Sequence, residues 1–323
     1  MNILFIADPL ESFRIYKDTS FAMMREAQRR GHTVAACEPQ DLLWQRGAAV
    51  TAHVRDIALT GDAQQWFEPA QPASEPRRPA LKDFDAIVMR KDPPFDSEYF
   101  YATHLLEQAE REGARVFNKP RALRDHPEKL SILEFSRFIG PTLVTRNAQD
   151  IKRFHALHRD IILKPLDGMG GMGIFRVRED GLNLGSITET LNRGGALSVM
   201  VQKFLPEITL GDKRVLLIGG QPVPFCLARI PQEGEVRGNL AVGGKGVARA
   251  LSQRDREIGE ALGPVLASRG LLLVGVDVIG DWVTEINVTS PTCFQEITDQ
   301  TGFDVAKMFV DALEKALSLE KKA

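Results

Sequence analysis

The pattern that most limits the fold is an alternation of strand-like and helix-like stretches through the first third of the chain. "NILFIAD" is a short apolar run, "DTSFAMMREAQRRG" sets apolar residues at helical spacing between Asp18 as a cap and Gly31 as a stop, and "HTVAACE" is apolar again. The same order returns in "FDAIVMR", "SEYFYATHLLEQAEREG" and "ARVFN". Strands separated by helices imply a parallel sheet, and ligands of such sheets sit beyond the carboxyl ends of the strands. At one of those ends "FDAIVMR" runs into "KDPPFD", so Arg90, Lys91 and Asp92 leave the sheet on a segment stiffened by Pro93 and Pro94. This is the pattern of a binding loop, or of a charged turn after a buried strand. The intervening "EPAQPASEPRRPA" holds no period and is expected to be a surface loop.

From about Asp125 the order becomes α+β. Helices are expected at "HPEKLSILEFSRF", with Pro127 in the first turn, at "NAQDIKRFHALH" and at "SITETLNR". Strands are expected at "DIILKP", "GIFRVRE" and "LSVMVQKFL", followed by a hairpin over "DKRVLLIGGQPVPFCLARI". A Gly-rich segment, "PQEGEVRGNLAVGGKG", precedes the helix "SQRDREIGEALGPVLASRG", the strands "LLLVGVDVIG" and "WVTEINV", and the closing helix "FDVAKMFVDALEKAL".

A chain of 323 residues has room for two or three cores, and a net charge of -2 gives no long-range attraction for nucleic acid or an anionic membrane. Neither partner is expected. The start "MNILFIADPLE" reads as a strand rather than a signal peptide, and no run is long enough to span a bilayer. Cys37, Cys226 and Cys293 are scattered without metal or disulfide spacing, which fits a reducing cytoplasm. The histidines form no metal pattern and are expected to be solvated.

In "DIILKPLDGMGGMGIFRV", Gly168, Gly170 and Gly173 have the spacing G-x-G-x-x-G. A dinucleotide fingerprint needs a helix after the glycines, whereas "IFRVRE" alternates like a strand. A strand, glycine turn and strand make a flexible flap instead. Consecutive N–H groups of such a flap can cover a triphosphate, and Lys164 at the end of the first strand can place an ammonium beside it. A hairpin with a loose turn is the plainer alternative.

"VGVDVIGDWVTEINVTSPT" puts Asp277 in an apolar strand and spaces Glu285 and Asn287 so that both project from one face of the next. Oxygen ligands on a sheet face suit Mg²⁺ together with substrate phosphates. Asp277 and Glu285 share a face only if an odd number of residues connects them, as in a hairpin with a bulge around Gly280 and Asp281; a tight two-residue turn would set them on opposite faces. Ser290 and Thr292 follow on a turn stiffened by Pro291, and their hydroxyls can hold a small zwitterion or carboxylate. Lys129, Arg214, Arg229 and Arg237 supply positive charge near these elements. Together they describe a site that neutralises a nucleotide and stabilises charge developing on transfer.

The order Lys129, Lys164 with the glycine flap, the hinge-like "VQKFL", then Asp277, Glu285 and Asn287 resembles the ATP-grasp fold. More narrowly, "MRKDPPFD", "NKPRALRDHPEKL", "DIILKPLDGMGG", "DKRVLLIGGQPVPFCLARIPQEGEVRGNL" and "TEINVTSPTCFQEI" resemble bacterial-type glutathione synthetases over essentially the whole chain. The resemblance implies an α/β and α+β protein. An N-terminal pre-ATP-grasp substrate domain with a parallel sheet would cover 1–124, a small ATP-grasp subdomain with the flap 125–203, and a large subdomain with metal and catalytic residues 204–323. It implies ligation of γ-L-glutamyl-L-cysteine and glycine through an acyl phosphate, with ATP as substrate and Mg²⁺ or Mn²⁺ as the metal, in a cytoplasmic homodimer or homotetramer. Lys129, Lys164, Gly168, Gly170, Gly171 and Asp212 would hold the nucleotide, with Gln202, Lys203, Phe204 and Leu205 at its adenine side. Asp277, Glu285 and Asn287 would hold the metal, and Arg214, Arg229 and Arg237 would act on the transferring group. Arg90, Lys91, Asp92, Ser290, Pro291 and Thr292 would bind the peptide substrates, and "IPQEGEVRGNLAVGGKG" would be a mobile lid. Three alternatives stay open: a ligase for another dipeptide, a nucleotide-binding regulator without turnover, and an NAD-dependent oxidoreductase resting on the glycine spacing alone.

Overall fold

The computed structural model describes residues 1–70, 77–232, 238 and 243–320. Its first sheet has six strands in the order Phe67–Pro69, Arg55–Leu59, Thr33–Cys37, Asn2–Ile6, Ala86–Met89 and Val116–Phe117. The last four pair in parallel, joined by the helices Thr19–Arg29 and Ser97–Arg111, and Asp18 caps the first of these through Phe21 N. The outer two are antiparallel, so the sheet is mixed rather than parallel throughout. No α-helix lies between Cys37 and Arg55, and without a crossover the chain returns beside the strand it has left. The expected surface loop is also partly paired: Glu68 and Pro69 are in a strand, and Arg77 and Ala80 bridge to Val54 and Thr51, while 71–76 lie outside the described residues.

The second sheet is antiparallel, in the order Phe175–Val177, Ile161–Pro165, Val199–Lys203 and Thr142–Thr145. The helices Ala148–His158 and Leu184–Asn192 cover it and close a small core of Ile151, Ile161, Leu163, Val177, Leu184, Val199 and Val201. The third sheet is antiparallel too, running Lys245–Ala250, Gln221–Ile230, Asp212–Ile218, Leu273–Ile279 and Trp282–Asn287.

The first and third sheets share their cores. Leu4 and Ile87 pack in one cluster with Val215 and Val276, and Ile3 and Phe5 in another with Leu216 and Phe309 of the helix Val305–Glu320. Buried Asn118 sews the seam: its Nδ2 donates to the carbonyls of Leu273 and Val288, each at 2.8 Å, and its Oδ1 accepts from Leu273 N at 3.0 Å. The second sheet, by contrast, has the small core of its own already described.

The helix expected at "HPEKLSILEFSRF" is not one. A helix Pro120–Asp125 ends before it, Glu128 to Leu130 form a turn, and Ser131–Phe138 is 3₁₀ with a break at Phe135 (φ -113°, ψ 45°). Long-range bonds outweigh the local preference. The Glu128 carbonyl accepts from Ile286 N at 3.0 Å, and its side chain is held by the turn after Asn287. His126 corrects another expectation, since it is buried rather than solvated, with Nδ1 2.7 Å from the Ala122 carbonyl and Nε2 2.9 Å from Arg269 Nη1. No helix among the described residues is long and apolar enough to cross a membrane.

Candidate active site

A cavity of about 630 Å³ opens where the three sheets meet. Its acidic wall is set by one irregularity in a hairpin. Ile279 pairs with Trp282 across the two-residue turn Gly280-Asp281, and Val278 pairs with Val283, but Asp277 pairs with Glu285. Thr284 is therefore the extra residue of a β-bulge. The expected change of parity occurs, at Thr284 rather than in the turn, and it brings both carboxylates to the cavity. Bulging also takes the Thr284 carbonyl out of the ladder, and Lys164 Nζ donates to it at 3.1 Å.

Behind this wall two buried arginines neutralise the buried Asp277 and the half-buried Asp212. Arg214 donates from Nε and Nη2 to Asp277 Oδ1 and Oδ2 at 2.5 and 3.1 Å. Arg229 Nη2 lies 2.9 Å from Asp277 Oδ2 and 2.5 Å from Asp212 Oδ2. Burial alone would raise the pKa of Asp277, but Arg214 and Arg229 outweigh it and hold the carboxyl well below its ordinary value. At Asp212 burial prevails against Arg229, and with the charge of Asp277 nearby the group is pushed up to about 6. Burial also lowers the pKa of Lys164, partly offset by Glu285. Lys129 joins two parts of the site, with Nζ 3.2 Å from Glu285 Oε1 and donating to the Gly168 carbonyl at 2.9 Å.

Among the described residues no cluster of three or more His, Cys, Asp or Glu side chains is arranged to hold a metal. A cation here must draw on Asn287 and on substrate oxygens as well. Asn287 Nδ2 donates to the Gly275 carbonyl at 3.1 Å, so its Oδ1 is the atom that would face a cation. Asp212 Oδ1 is buried without a hydrogen-bond partner among the described residues. This all-oxygen set fits Mg²⁺ or Mn²⁺, which take few carboxylates and complete their shells with phosphate and water.

The flap forms the opposite side. Gly168, Gly170, Gly171 and Gly173 have φ of 108°, 64°, 82° and 70°, all in the left-handed region that side chains disfavour. At Gly173 an added Cβ would also press on Pro165 at 3.2 Å. Gln202, Lys203, Phe204 and Leu205 line the cavity beside it. The Phe204 ring is held by the Arg176 guanidinium 3.5 Å from its centroid, and Arg176 is itself fixed by Asp160 at 2.6 Å.

On the side of the first sheet, Asp92, Ser290, Pro291 and Thr292 line the cavity, and Ser290 Oγ donates to Asp92 Oδ1. Arg90 and Lys91 are not in its lining. Arg90 is buried behind Pro291, donating from Nη2 to that carbonyl at 3.1 Å and from Nε to Ser20 Oγ at 3.0 Å; Lys91 Nζ donates to Asp8 Oδ1 at 2.6 Å. Arg237 and most of the expected lid lie outside the described residues. Sequence reasoning missed Glu128, Arg14, Lys17, Asp18 and Glu296, which also face the cavity. Asp18 reads as a helix cap, which it is, and Glu128 carries no local pattern.

Residues 1–124 match the family model described as the prokaryotic glutathione synthetase N-terminal domain, and residues 128–302 that of the prokaryotic glutathione synthetase ATP-grasp domain. The chain belongs to the prokaryotic glutathione synthetase family. It is 60% identical over 316 residues to the glutathione synthetase of Ralstonia nicotianae, covering 98% of this chain and 96% of the relative. It is 54% identical over 325 residues to that of Nitrosomonas europaea, covering 100% of both. Solved structures with the same fold include D-cycloserine synthetase DcsG (TM-score 0.68, 16% identity, 98% of this chain and 99% of that one) and the ATP-grasp ligase PsnB with its minimal precursor (TM-score 0.61, 18% identity, 97% and 98%). The fold is ATP-grasp, and the protein is an ATP-dependent ligase acting on small molecules.

Proposed function

We propose that the chain joins γ-L-glutamyl-L-cysteine to glycine, forming glutathione and releasing ADP and phosphate. The observation that carries this reading is the bulged pair Asp277 and Glu285 facing Lys129, Lys164 and a glycine flap across one cavity. A carboxylate is a poor electrophile, so the cysteinyl carboxylate first attacks the γ-phosphorus of ATP. The Pγ–O bond to ADP breaks, giving an acyl phosphate and ADP. The glycine amine attacks the acyl carbon, and the tetrahedral intermediate collapses with loss of phosphate and a proton.

Lys129 and Lys164 hold the phosphates, and Gly168, Gly170 and Gly171 cover them, which keeps water from the acyl phosphate. Gln202, Lys203, Phe204 and Leu205 receive adenine, with Asp212 at the nucleotide's other side. Arg214 and Arg229 keep Asp277 ionised and set positive charge beside the transferring group; Arg237 belongs to the same set by resemblance. Asp277, Glu285 and Asn287 would hold Mg²⁺ or Mn²⁺, which supplies charge neutralisation for the phosphate oxygens. Asp92, Ser290, Pro291 and Thr292 bind the peptide, supported from behind by Arg90 and Lys91.

The domain division 1–124, 125–203 and 204–323, the cytoplasmic location and the homodimer or homotetramer are part of the same reading. Size-exclusion chromatography with light scattering tests the last. The main test is product identification with ATP, Mg²⁺, γ-glutamylcysteine and glycine. ADP release that ignores either amino substrate would sink the proposal.

A further inference from the structure

The chain has 3 cysteines and 8 methionines, and the fold withdraws most of this sulfur from solvent. Cys37, Cys226 and Cys293 are buried, and burial pushes the thiols up, Cys226 to about 11, so little reactive thiolate is present near neutral pH. Met23, Met24, Met89 and Met200 are at most 2% exposed, and Met1 and Met308 are half-buried. Two methionines differ: Met169 is 38% exposed and Met172 63%. Both lie in the glycine flap, both line the cavity, and Met172 N donates to the Met169 carbonyl at 3.2 Å, so they bracket Gly170 and Gly171.

We propose that Met169 and Met172 are an oxidation site for hydroperoxides, and that their sulfoxides hinder closure of the flap on the nucleotide. The inference rests on the reading of this loop as the cover of the ATP phosphates. In the reaction the thioether sulfur attacks one peroxide oxygen, the O–O bond breaks and an S–O bond forms. With hydrogen peroxide the proton of the transferred hydroxyl leaves with the other oxygen as water. Sulfur is oxidised by two electrons and the peroxide is reduced by two. The product replaces an apolar side chain with a strong hydrogen-bond acceptor. Lys129 Nζ already reaches the flap at the Gly168 carbonyl, so a sulfoxide oxygen in the same loop competes with phosphate for ammonium and N–H donors. A ligase of this family would then lose affinity for ATP as peroxide rises, while its core and its thiols are spared.

The test treats the full chain with graded hydrogen peroxide, with and without Mg-ADP, and maps added oxygen by peptide mass spectrometry. Oxygen should enter Met169 and Met172 before any cysteine or other methionine, and Mg-ADP should slow it. The KM for ATP should rise about fivefold or more, and methionine sulfoxide reductase should reverse the change. A Met169→Leu/Met172→Leu protein, normalised to its own untreated activity, should not respond. Oxidation that falls first on Cys293, an unchanged KM with both flap methionines oxidised, or an equal loss in the double variant would overturn the proposal. Mapping and nucleotide protection need no turnover, so they test the site even if glutathione is not the product.

Discussion

Asp277 stands directly opposite Glu285 in the antiparallel pair only because Thr284 is bulged out of the ladder. Without that bulge Thr284 would occupy the place opposite Asp277, and Glu285 would turn to the other face of the sheet. The same bulge frees the carbonyl that receives the Lys164 ammonium. One extra residue thus aligns a carboxylate pair and anchors the Lys164 ammonium beside it.

Glu285→Gln keeps the shape of the side chain and removes its charge. We expect substrate-dependent ADP release to fall about 10²–10³-fold, the usual cost of removing one group that stabilises transferring charge. Circular dichroism should be unchanged. Activity within threefold of wild type at saturating Mg²⁺ would contradict the assignment.

If Lys164 holds phosphate as proposed it must be an ammonium, yet burial lowers its pKa from the ordinary 10.5. In the free enzyme the charge is lost on the alkaline side earlier than for an exposed lysine. The pH profile of kcat/KM for ATP should therefore fall below the ordinary lysine range, whereas kcat, measured with phosphates bound, should fall at higher pH. In Lys164→Arg this limb should disappear from both profiles, because guanidinium stays charged. An identical limb in the variant would assign it to another group.

Asp212 binds a proton in the folded state with a pKa near 6, above the 3.8 of an ordinary aspartate. Between these values the folded chain holds more protons than the unfolded one, so this group stabilises the fold as pH falls through 6 and its cost is greatest above 6. Asp212→Asn removes that dependence. The Tm of wild type relative to the variant should rise as the buffer is taken from neutral to mildly acid pH. A difference that is flat or falls over this window would refute the shift. Asp277, held low by Arg214 and Arg229, should contribute the opposite trend, at much lower pH.

Glu128 ties the chain before Lys129 to the turn after the strand Trp282–Asn287. Its Oε1 accepts from Val288 N at 2.9 Å, Thr289 N at 3.1 Å and Thr289 Oγ1 at 2.8 Å. Glu128→Ala leaves these donors unpaired, which should cost at least about 2 kcal/mol in urea unfolding. It should also raise the KM for γ-glutamylcysteine about tenfold by loosening the Ser290 to Thr292 turn. Glu128→Gln keeps an acceptor oxygen and should recover most of both losses. A Gln variant as impaired as the Ala variant would mean that the charge, not the tether, is what matters.

Much of the molecule is legible from residue patterns because those patterns act locally. The alternation at the amino end gives strands and helices in the right places, and the i, i+2 spacing of Glu285 and Asn287 puts both on one face whatever surrounds them. A strand after the flap glycines is enough to separate this loop from a dinucleotide fingerprint. Family motifs spread over the whole chain carry the functional reading. What local pattern cannot reach depends on partners far away in the chain. The segment before Lys129 has a helical pattern but makes a turn, since Glu128 is bound by strand and loop residues about 160 positions later. His126 is polar in sequence and buried in the fold because Arg269 and the Ala122 carbonyl satisfy both ring nitrogens. Parity required a bulge between Asp277 and Glu285; only pairing in the assembled sheet put it at Thr284, where the lost ladder bond is replaced by Lys164 from another sheet.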